Sequence, residues 1–373
     1  MSMNPRIYLD FNATAPLGAR ARAAMSQAMA DPGNPSSIHA EGRRARDHVE
    51  RARDHVARLV GRPREQVVFT SGGTEGNVLG VVGLAAVAER RGLPRVVAAA
   101  AIDHPSLRGA VAALVARGWQ LRPIGVAATG ALEASSLGGA GLVAIAAVNH
   151  EIGTVADPQI IVAARAAGAL VHVDAVQAAG KLPLHAIDAD ALVLSAHKLG
   201  GPQGIGAVAI PLDDGLPVFE AGHQERGRRP GTENTLGIVG FGAAAADANV
   251  ASWPEVAALG ERLEAGLRSI TGVRIHGAGA RRIGGTVNAG FAGARGESIV
   301  IALDLAGIAA STGAACTSGS IQPSPVLLGF GLSADEAREA VRFSLGHSTT
   351  ADEIDAVLER LPAIVARARA HRA

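Results

Sequence analysis

The chain contains a single cysteine, Cys316, among its 373 residues. One cysteine excludes an internal disulfide and any metal site built from several cysteines, and no metal site is predicted. Aromatic residues make up only 3% of the chain, so aliphatic side chains and alanine must build the core, helped by close backbone approach at the 47 glycines. The hydrophobic content of 48% is ample for a sizeable core of this kind.

Neither sign of charge dominates, because 35 lysines and arginines face 34 acidic residues and the net charge is +1. This balance lacks the electrostatic footprint of a nucleic-acid-binding protein, and the charge-rich segment 43–64 mixes acids with arginines as a solvated helix does. The sequence has no apolar run long enough to cross a bilayer, and its first residues contain no apolar signal core. We therefore expect a soluble, cytoplasmic protein without nucleic-acid or membrane partners.

Lysine is scarce in this chain. Lys181 and Lys198 are the two lysines among the 35 lysines and arginines. Lys198 follows an apolar run in the segment Leu192-Val-Leu-Ser-Ala-His-Lys198. Because this chain uses arginine at nearly all of its basic positions, we expect a lysine to be present where its amine is needed. An amine can lose a proton and attack a carbonyl carbon. The alternative is an ordinary surface lysine after a strand.

Short apolar runs alternate with longer helical patterns over the first two thirds of the chain. Strands are predicted over 67–69, 96–101, 142–148, 170–174, 191–195 and 207–210. This alternation predicts an α/β fold with a mainly parallel sheet covered by helices on both faces. After Trp253-Pro254, a helix, two short strands and a closing helix predict a smaller α+β unit. The predicted division is a large domain of residues 14–253 and a small C-terminal domain of residues 254–373, which also includes residues 1–13.

Polar residues collect where several predicted strands end, which is the edge of an open sheet that binds ligands. The turn 70–76 joins a strand to a helix and offers backbone N–H groups to a phosphate, but it lacks the Gly-Lys-Ser/Thr of a nucleotide-binding loop. Asp174 ends a strand 24 residues before Lys198. An amine, a carboxylate for a ring nitrogen and a phosphate turn together favour a site for pyridoxal phosphate (PLP).

A series of motifs in order along nearly the whole chain resembles the bacterial cysteine desulfurases that supply sulfur for iron–sulfur clusters and tRNA thiolation. These enzymes belong to the pyridoxal-phosphate-dependent aminotransferase class V group. The resemblance implies the PLP-dependent transferase fold (fold type I). The matching segments are Tyr8–Thr14, Gly33–His39, Phe69–Glu75, Asp103–Pro105, Val148–Gly153, His172–Gln177, Ser195–Lys198, Arg229–Asn234, Ser311–Ser320 and Arg342–Gly346.

The resemblance implies a role for each matching residue. Lys198 would bind the cofactor covalently and then transfer protons, while Asp174 would pair with its ring nitrogen. His104 would stack on the ring, with capping of the following helix as the competing interpretation. The other cofactor contacts would be Asn149 and Gln177 at the ring oxygen, Gly73, Thr74, Ser195 and His197 at the phosphate, and Thr232 at the phosphate of the partner subunit in a homodimer.

Cys316 decides the predicted reaction. Its neighbours are small and polar, a loop composition, although a buried structural cysteine is the commoner fate of a free thiol. The resemblance implies that its thiolate takes the sulfur of L-cysteine, while Arg342 clamps the substrate carboxylate and Asn149 contacts the substrate. The products would be L-alanine and a persulfide. Its sulfur would pass to an acceptor thiol on a scaffold or carrier protein.

Other functions remain open at this point. A selenocysteine lyase or another class V aminotransferase shares the fold, whereas a non-catalytic sulfur-relay protein would be expected to lack Lys198, Asp174 or Cys316. The glycines of the segment 201–206 lack the spacing of a nicotinamide-binding turn. The chain also departs from the family near His223, whose role is left open. Lys181 matches the family, and we expect it to be a solvated structural residue.

Overall fold

The computed structural model describes residues 6–134, 137–211, 221–313 and 322–370. The strands are β1 (Ile7–Tyr8), β2 (Val67–Thr70), β3 (Val96–Ala100), β4 (Gln120–Ile124), β5 (Leu142–Ala146), β6 (Leu170–Asp174), β7 (Ala191–Ser195), β8 (Gly206–Ala209), β9 (Val273–His276), β10 (Thr286–Phe291), β11 (Ile308–Ala309) and β12 (Ala340–Ser344). The helices are α1 (Ala19–Ala28), α2 (Ala40–Val60), α3 (Gly73–Arg90), α4 (Pro105–Val115), α5 (Pro158–Ala166), α6 (Thr235–Asp247), α7 (Trp253–Arg268), α8 (Gly296–Leu305), α9 (Pro325–Gly329), α10 (Ala334–Arg338) and α11 (Ala351–Ala370).

The large sheet has seven strands in the order β2-β8-β7-β6-β5-β3-β4. Strands β3 to β7 pair in parallel, whereas β8 runs antiparallel to both of its neighbours, β2 and β7. Every residue of β5, β6 and β7 is buried, which is why these strands read as continuous apolar runs. The α/β class and the mainly parallel sheet are therefore confirmed.

A second, antiparallel sheet has the order β12-β10-β9. The start of the chain joins this part of the molecule, since β1 pairs in parallel with β11 and Asp10 forms a bridge with Ser344 of β12. We propose a large domain of residues 14–253 and a small domain that combines residues 254–373 with residues 1–13. The pairings of β1 and Asp10 support this division.

The predicted element boundaries agree closely with the structure, with one instructive difference. Strands β6 and β7 have their predicted bounds, whereas α3 begins at Gly73, inside the segment 70–76 that was predicted as a turn. The low helix propensity of glycine made the later start the natural prediction. In the structure, Glu75 Oε2 accepts the Ser71 N–H at 2.9 Å and supports the first turn.

Close backbone approach replaces aromatic bulk in the core, as the composition predicted. Helices α2 and α6 pack where Gly242 faces Ala52, and a Cβ added to Gly242 would lie 2.5 Å from the Ala52 Cα. Even an alanine there would force the helices apart. Within the described residues, no helix is both long and apolar enough to cross a membrane.

A buried ion pair fixes the loop that precedes α6. Arg53 of α2 donates from both Nη atoms to the two carboxylate oxygens of Glu225, at 2.8 and 2.7 Å. Glu225 Oε2 also accepts the Phe69 N–H of β2 at 2.8 Å. Glu225 and Arg226 have φ angles of 46° and 58°, in the region that favours glycine. The ion pair holds this strained turn against the large sheet.

Glu225→Gln should lower the free energy of unfolding by about 3 kcal/mol, because buried Arg53 would lose its bidentate partner and keep only Glu50, at 3.2 Å from its Nε, as a counter-charge. Urea denaturation measures this loss. The control is Asp355→Asn, which breaks a half-exposed pair with Arg262 of similar geometry, with Nη2–Oδ2 at 2.6 Å. That change should cost at most about 1 kcal/mol. If Glu225→Gln lowers the free energy of unfolding no more than Asp355→Asn does, the buried ion pair does not make the large contribution to stability that we expect.

Candidate active site

Lys198 lies just beyond the carboxyl end of β7, as predicted. Its Nζ donates to the backbone oxygens of Asn12 at 2.6 Å and Ala13 at 2.8 Å. Burial and the charge of Arg342 lower the pKa of Lys198 to about 8, against the opposing effects of Asp10 and Asp174. The amine can therefore lose its proton near neutral pH, as a nucleophilic lysine must.

Asp174 is the last residue of β6, the strand next to β7 in the large sheet. Its side chain is buried, and both carboxylate oxygens accept hydrogen bonds. The Val176 N–H donates to Oδ1 at 2.9 Å, and Asn77 Nδ2 donates to Oδ2 at 2.8 Å. The predicted partner of a ring nitrogen is thus held rigidly at the sheet edge that also carries Lys198.

The first turn of α3 lies where the sequence predicted a phosphate-binding turn. Gly73 and Thr74 begin the helix, and Gly72 before them contributes no side-chain cap to its first N–H groups. A Cβ on Gly73 would lie 2.8 Å from Val176 Cγ2 and 3.7 Å from Ser195 Cβ. The glycine therefore lets the helix start close against the ends of β6 and β7. A helix N-terminus of this kind suits an anion.

His197 adds a polar ring to this region. Its Nδ1 lies 3.2 Å from Thr14 Oγ1. Burial, with the charge of Lys198, lowers the pKa of His197 to about 4. The ring is therefore neutral at physiological pH, and it can serve a phosphate through a hydrogen bond rather than through a full charge.

Asn149 and Gln177 are both buried. Asn149 Nδ2 donates to the Ile102 oxygen at 2.7 Å, and Gln177 Nε2 donates to the Asn12 oxygen at 2.9 Å. Each amide nitrogen carries a second hydrogen. The predicted contact of both residues with a ring oxygen therefore needs donation by these nitrogens, and it stays a proposal.

His104 is exposed at the open side of the site and begins α4 as its N-cap. Its Nδ1 accepts the Ser106 N–H at 3.1 Å, so the helix-capping interpretation is correct. The His150 ring packs edge-on against it at a centroid distance of 4.8 Å. Loss of solvation lowers the pKa of His104, with Lys198 and Arg108 adding to the effect and Asp174 opposing it. Stacking of this ring on a cofactor remains a proposal.

Arg342 reaches the same place from β12 of the small sheet. Its Nη2 donates to Asp10 Oδ1 at 2.8 Å, and its Nη1 donates to the His150 oxygen at 3.0 Å. Its buried Nε has no partner among the described residues. A buried guanidinium with an unused donor is suited to a carboxylate ligand.

Two predicted site residues are not brought to this centre by the described chain. Thr232 is exposed in the loop before α6, and no hydrogen bond of the described residues joins it to Gly73 or Thr74. Cys316 lies outside the described residues, although Ser311 at the start of its segment pairs with Arg342 through the Arg342 N–H and the Ser311 oxygen at 2.6 Å.

The expectation that Lys181 is solvated is wrong. Lys181 is only 8% exposed, and its Nζ donates to Gln177 Oε1 at 3.1 Å and to Asn12 Oδ1 at 3.4 Å. The Nζ also lies 5.2 Å from the centre of the Trp253 ring. Burial lowers the pKa of Lys181 to about 7, with further contributions from the charges of Lys198 and Arg342. The apolar residues around the sequence Ala-Gly-Lys-Leu-Pro were the available signal for burial.

Sequence reasoning also assigned no role to Asn12, Asp10 and Asn77. Asn12 and Asp10 stand inside the segment Tyr8–Thr14, which was noticed as a motif without a chemical role. Their partners lie far away in the chain, for example Lys198 for Asn12 and Arg342 for Asp10. Spacing along the sequence contains no information on such contacts.

Comparison with known proteins places this geometry in a family. The sequence profile described as aminotransferase class-V matches residues 7–357. The chain is 40% identical to "Cysteine desulfurase 2" of Trichormus variabilis, over 98% of this chain and 94% of the relative. It is also 40% identical to "Cysteine desulfurase IscS" of Anaeromyxobacter sp., over 94% of this chain and 90% of the relative. Among solved structures, a "NIFS-LIKE PROTEIN" matches with a TM-score of 0.88 and 30% identity, over 97% of this chain and 100% of the other.

In the cofactor-free protein, Lys198 should react with an amine-selective acylating reagent with a midpoint near pH 8, because only the neutral amine reacts and its pKa is about 8. Peptide mass spectrometry across a pH series measures the reaction at this residue. Arg342→Gln should move the midpoint to higher pH, because it removes a cation that lowers the pKa. The exposed-surface control Arg274→Gln should not move it. A midpoint at the ordinary lysine value of 10.5 would contradict the assigned environment.

Proposed function

We propose that this chain, which belongs to the aminotransferase class-V family, is a PLP-dependent cysteine desulfurase that converts L-cysteine to L-alanine. The observation that carries the proposal is the convergence of Lys198 and Asp174, from adjacent strand ends of the large sheet, with Arg342 from the small sheet. An amine, a carboxylate and a carboxylate-binding guanidinium meet at one edge, as an amino-acid-converting site requires.

The residues of this site fit pyridoxal 5'-phosphate. The first turn of α3 suits its phosphate, together with Ser195 and His197, while Asp174 suits its ring nitrogen. When bound, the cofactor supplies an electron sink for the carbon skeleton of the substrate. Lys198 is suited to hold it covalently, because its amine gives up a proton near pH 8. The same Nζ is then positioned to donate and accept protons at the substrate carbons.

The substrate would be oriented by its carboxylate. Arg342 would bind this group, with Nε as the donor that has no partner in the described protein. Arg342 also lies on the strand whose backbone pairs with Ser311, the residue that opens the segment containing Cys316. This pairing connects the carboxylate-binding group with the sulfur-accepting segment, and it supports a substrate whose sulfur is delivered to Cys316.

In the proposed sulfur transfer, the Cys316 thiolate attacks the sulfur of L-cysteine. An S–S bond forms as the bond between sulfur and the substrate Cβ breaks, and the electron pair of that bond stays with the carbon skeleton. Protonation of the skeleton gives L-alanine and leaves a persulfide on Cys316. Because the chain has one cysteine, the next acceptor is a thiol of another molecule. We propose a scaffold or carrier protein of iron–sulfur cluster or tRNA sulfur metabolism in the cytoplasm.

We also propose a homodimer in which Thr232 contacts the phosphate in the partner subunit. Its exposure supports this assignment, together with the anchoring of its loop. Arg229 Nε donates to Glu75 Oε1 at 2.9 Å, which ties the loop to the first turn of α3. A residue presented outward next to one phosphate cradle is well placed to reach the cradle of a second copy.

The purified yellow protein should release equal amounts of alanine and sulfide from L-cysteine in the presence of a thiol reductant. Cys316→Ser should retain the cofactor colour but form no persulfide, because the sulfur acceptor is removed. Lys198→Ala is the matched control, and it should lose the covalent cofactor signal as well. Full alanine release by Cys316→Ser would contradict the mechanism. Selenide release from L-selenocysteine without sulfide release from L-cysteine would indicate a selenocysteine lyase.

Mixing two inactive variants tests the shared phosphate site. Lys198→Ala lacks the amine, and Thr232→Val lacks the hydroxyl that the partner subunit needs. In a mixed dimer, the subunit that keeps Lys198 would receive Thr232 from its partner. Random mixing should therefore restore about one quarter of the sites, measured as cofactor retention and alanine release. Retention and release no higher than the mean of the two separate variants would contradict the assignment.

A further inference from the structure

We propose that Asn77 and Ser106 form a hydrogen-bond relay that connects Asp174 with His104 and keeps the proton of a neutral His104 on Nε2. Both are positioning residues, since each acts through a neighbour. The relay runs from β6 through α3 to the start of α4, and all four side chains lie within the described residues. The proposal rests on the proposed function only in its last step, where Asp174 and His104 face a cofactor.

The orientation of the Asn77 amide is fixed by its neighbours. The oxygens of the Asp174 carboxylate can only accept, so the group that faces Oδ2 at 2.8 Å must be the NH₂ of Asn77. The second hydrogen of this NH₂ is directed to Ser106 Oγ at 2.9 Å. Both donor positions of the Asn77 nitrogen are therefore used, and its oxygen faces the other way.

The Asn77 oxygen meets a buried histidine that supports this orientation. His172 Nε2 lies 3.0 Å from Asn77 Oδ1, so this nitrogen carries the hydrogen. His172 is fully buried, and burial lowers its pKa to about 3, so the ring is neutral. Gly80 of α3 makes room for the ring, since a Cβ at that position would lie 2.6 Å from the imidazole. A histidine at this place locks the amide in one orientation.

Ser106 transmits the orientation to His104. Its hydroxyl oxygen accepts from Asn77, so its single hydrogen is free for His104 Nδ1 at 2.7 Å. The Ser106 backbone N–H also donates to this Nδ1, at 3.1 Å. A nitrogen that accepts two hydrogen bonds carries no proton. His104 is therefore neutral, with its hydrogen on Nε2.

This tautomer determines what His104 can do. The Nε2–H can donate a hydrogen bond or a proton, whereas the ring cannot take up a proton at Nδ1 without breaking the contacts to Ser106. The charged and titratable groups around the ring are Asp174, Lys198, Arg108 and His150. Lys198 and Arg108 oppose a charged ring, so they act in the same direction as the relay. His104 thus faces the site as a donor.

The test is the protonation state of His104, measured by ¹⁵N NMR of the imidazole rings in histidine-labelled protein with and without the cofactor. His104→Gln identifies the His104 signals among the 12 histidines. The unmodified protein should contain Nε2-protonated His104 at pH 7. Ser106→Ala should raise the pH midpoint of this ring by about 0.5 to 1, because one donor to Nδ1 is lost. Ser106→Thr keeps the hydroxyl and should retain the original midpoint.

A second variant tests the other half of the relay. Asn77→Leu removes the donor to Asp174 Oδ2 and should weaken pyridoxal phosphate binding roughly five- to tenfold, as measured by equilibrium dialysis. Thermal unfolding of the same samples separates a general loss of folding from this effect. Ser106→Ala should leave the affinity nearer to that of the unmodified protein, because Asp174 keeps both of its hydrogen bonds.

An Nδ1-protonated or doubly protonated His104 in the unmodified protein at pH 7 would overturn the proposal. An unchanged midpoint in Ser106→Ala would do the same. Failure of the proposed function has a different signature, since a protein that has the expected His104 signals but releases no alanine from L-cysteine would contain the relay without being a desulfurase. The two proposals can therefore fail separately.

Discussion

The hydrogen bonds of Asn12 connect the two sheets at the site, and the geometry of the site depends on them. Its backbone oxygen accepts from Lys198 and Gln177, which both belong to the large-sheet part of the chain. Its backbone N–H donates to Ser344 Oγ, and its side-chain nitrogen donates to Thr286 Oγ1 at 2.9 Å, both in the small sheet. Asn12 therefore connects the amine of Lys198 directly with the small sheet.

The segment around Asn12 also brings Arg342 of the small sheet close to the edge of the large sheet. Asp10, two residues before Asn12, accepts from Arg342, while Thr14 Oγ1 lies 3.2 Å from His197 Nδ1. The segment Asp10–Thr14 thus contacts Arg342 at one end and His197 at the other. Asn12 in the middle of this segment is buried, and breaking any one of its hydrogen bonds would leave a polar group without solvent, which makes its position rigid. A preorganised site needs this rigidity.

The sequence predicted the layers of the fold well because buried parallel strands have a strong signature. Apart from His172 in the middle of β6 and the polar residues at the strand ends, β6 and β7 contain only residues that suit burial on both faces, so their bounds and the position of Asp174 followed directly. The proximity of Lys198 to Asp174 followed as well, since adjacent strand ends meet at one edge. The resemblance to a family supplied the residues that pattern could not, such as Arg342.

Other features could not be predicted, because they depend on contacts between distant segments. Lys181 looked like a solvated residue after a turn, but Asn12, 169 positions away, and Trp253 bury it. The tautomer of His104 depends on an amide in another helix. The direction of β8 depends on its insertion between β2 and β7, which the sequence pattern of β8 itself does not report. Local propensity determines where a helix or strand forms, whereas tertiary packing determines which distant residues it contacts.

The concentration of positive charge at the site connects stability with ligand binding. Lys181 and Lys198 have pKa values of about 7 and about 8, both well below the ordinary 10.5, so the folded chain binds fewer protons than the unfolded chain between these limits. These two lysines therefore make the free protein more stable as the pH rises from about 7 toward 10.5.

An anion that enters the site should raise the pKa values of these two lysines again, because negative charge favours the protonated amines. Binding of a phosphate and a carboxylate should then take up protons and stabilise the folded state, since neither ligand meets such a cluster in the unfolded chain. The mutual repulsion of Lys181, Lys198 and Arg342 would thus be reduced by anionic ligands of the proposed class.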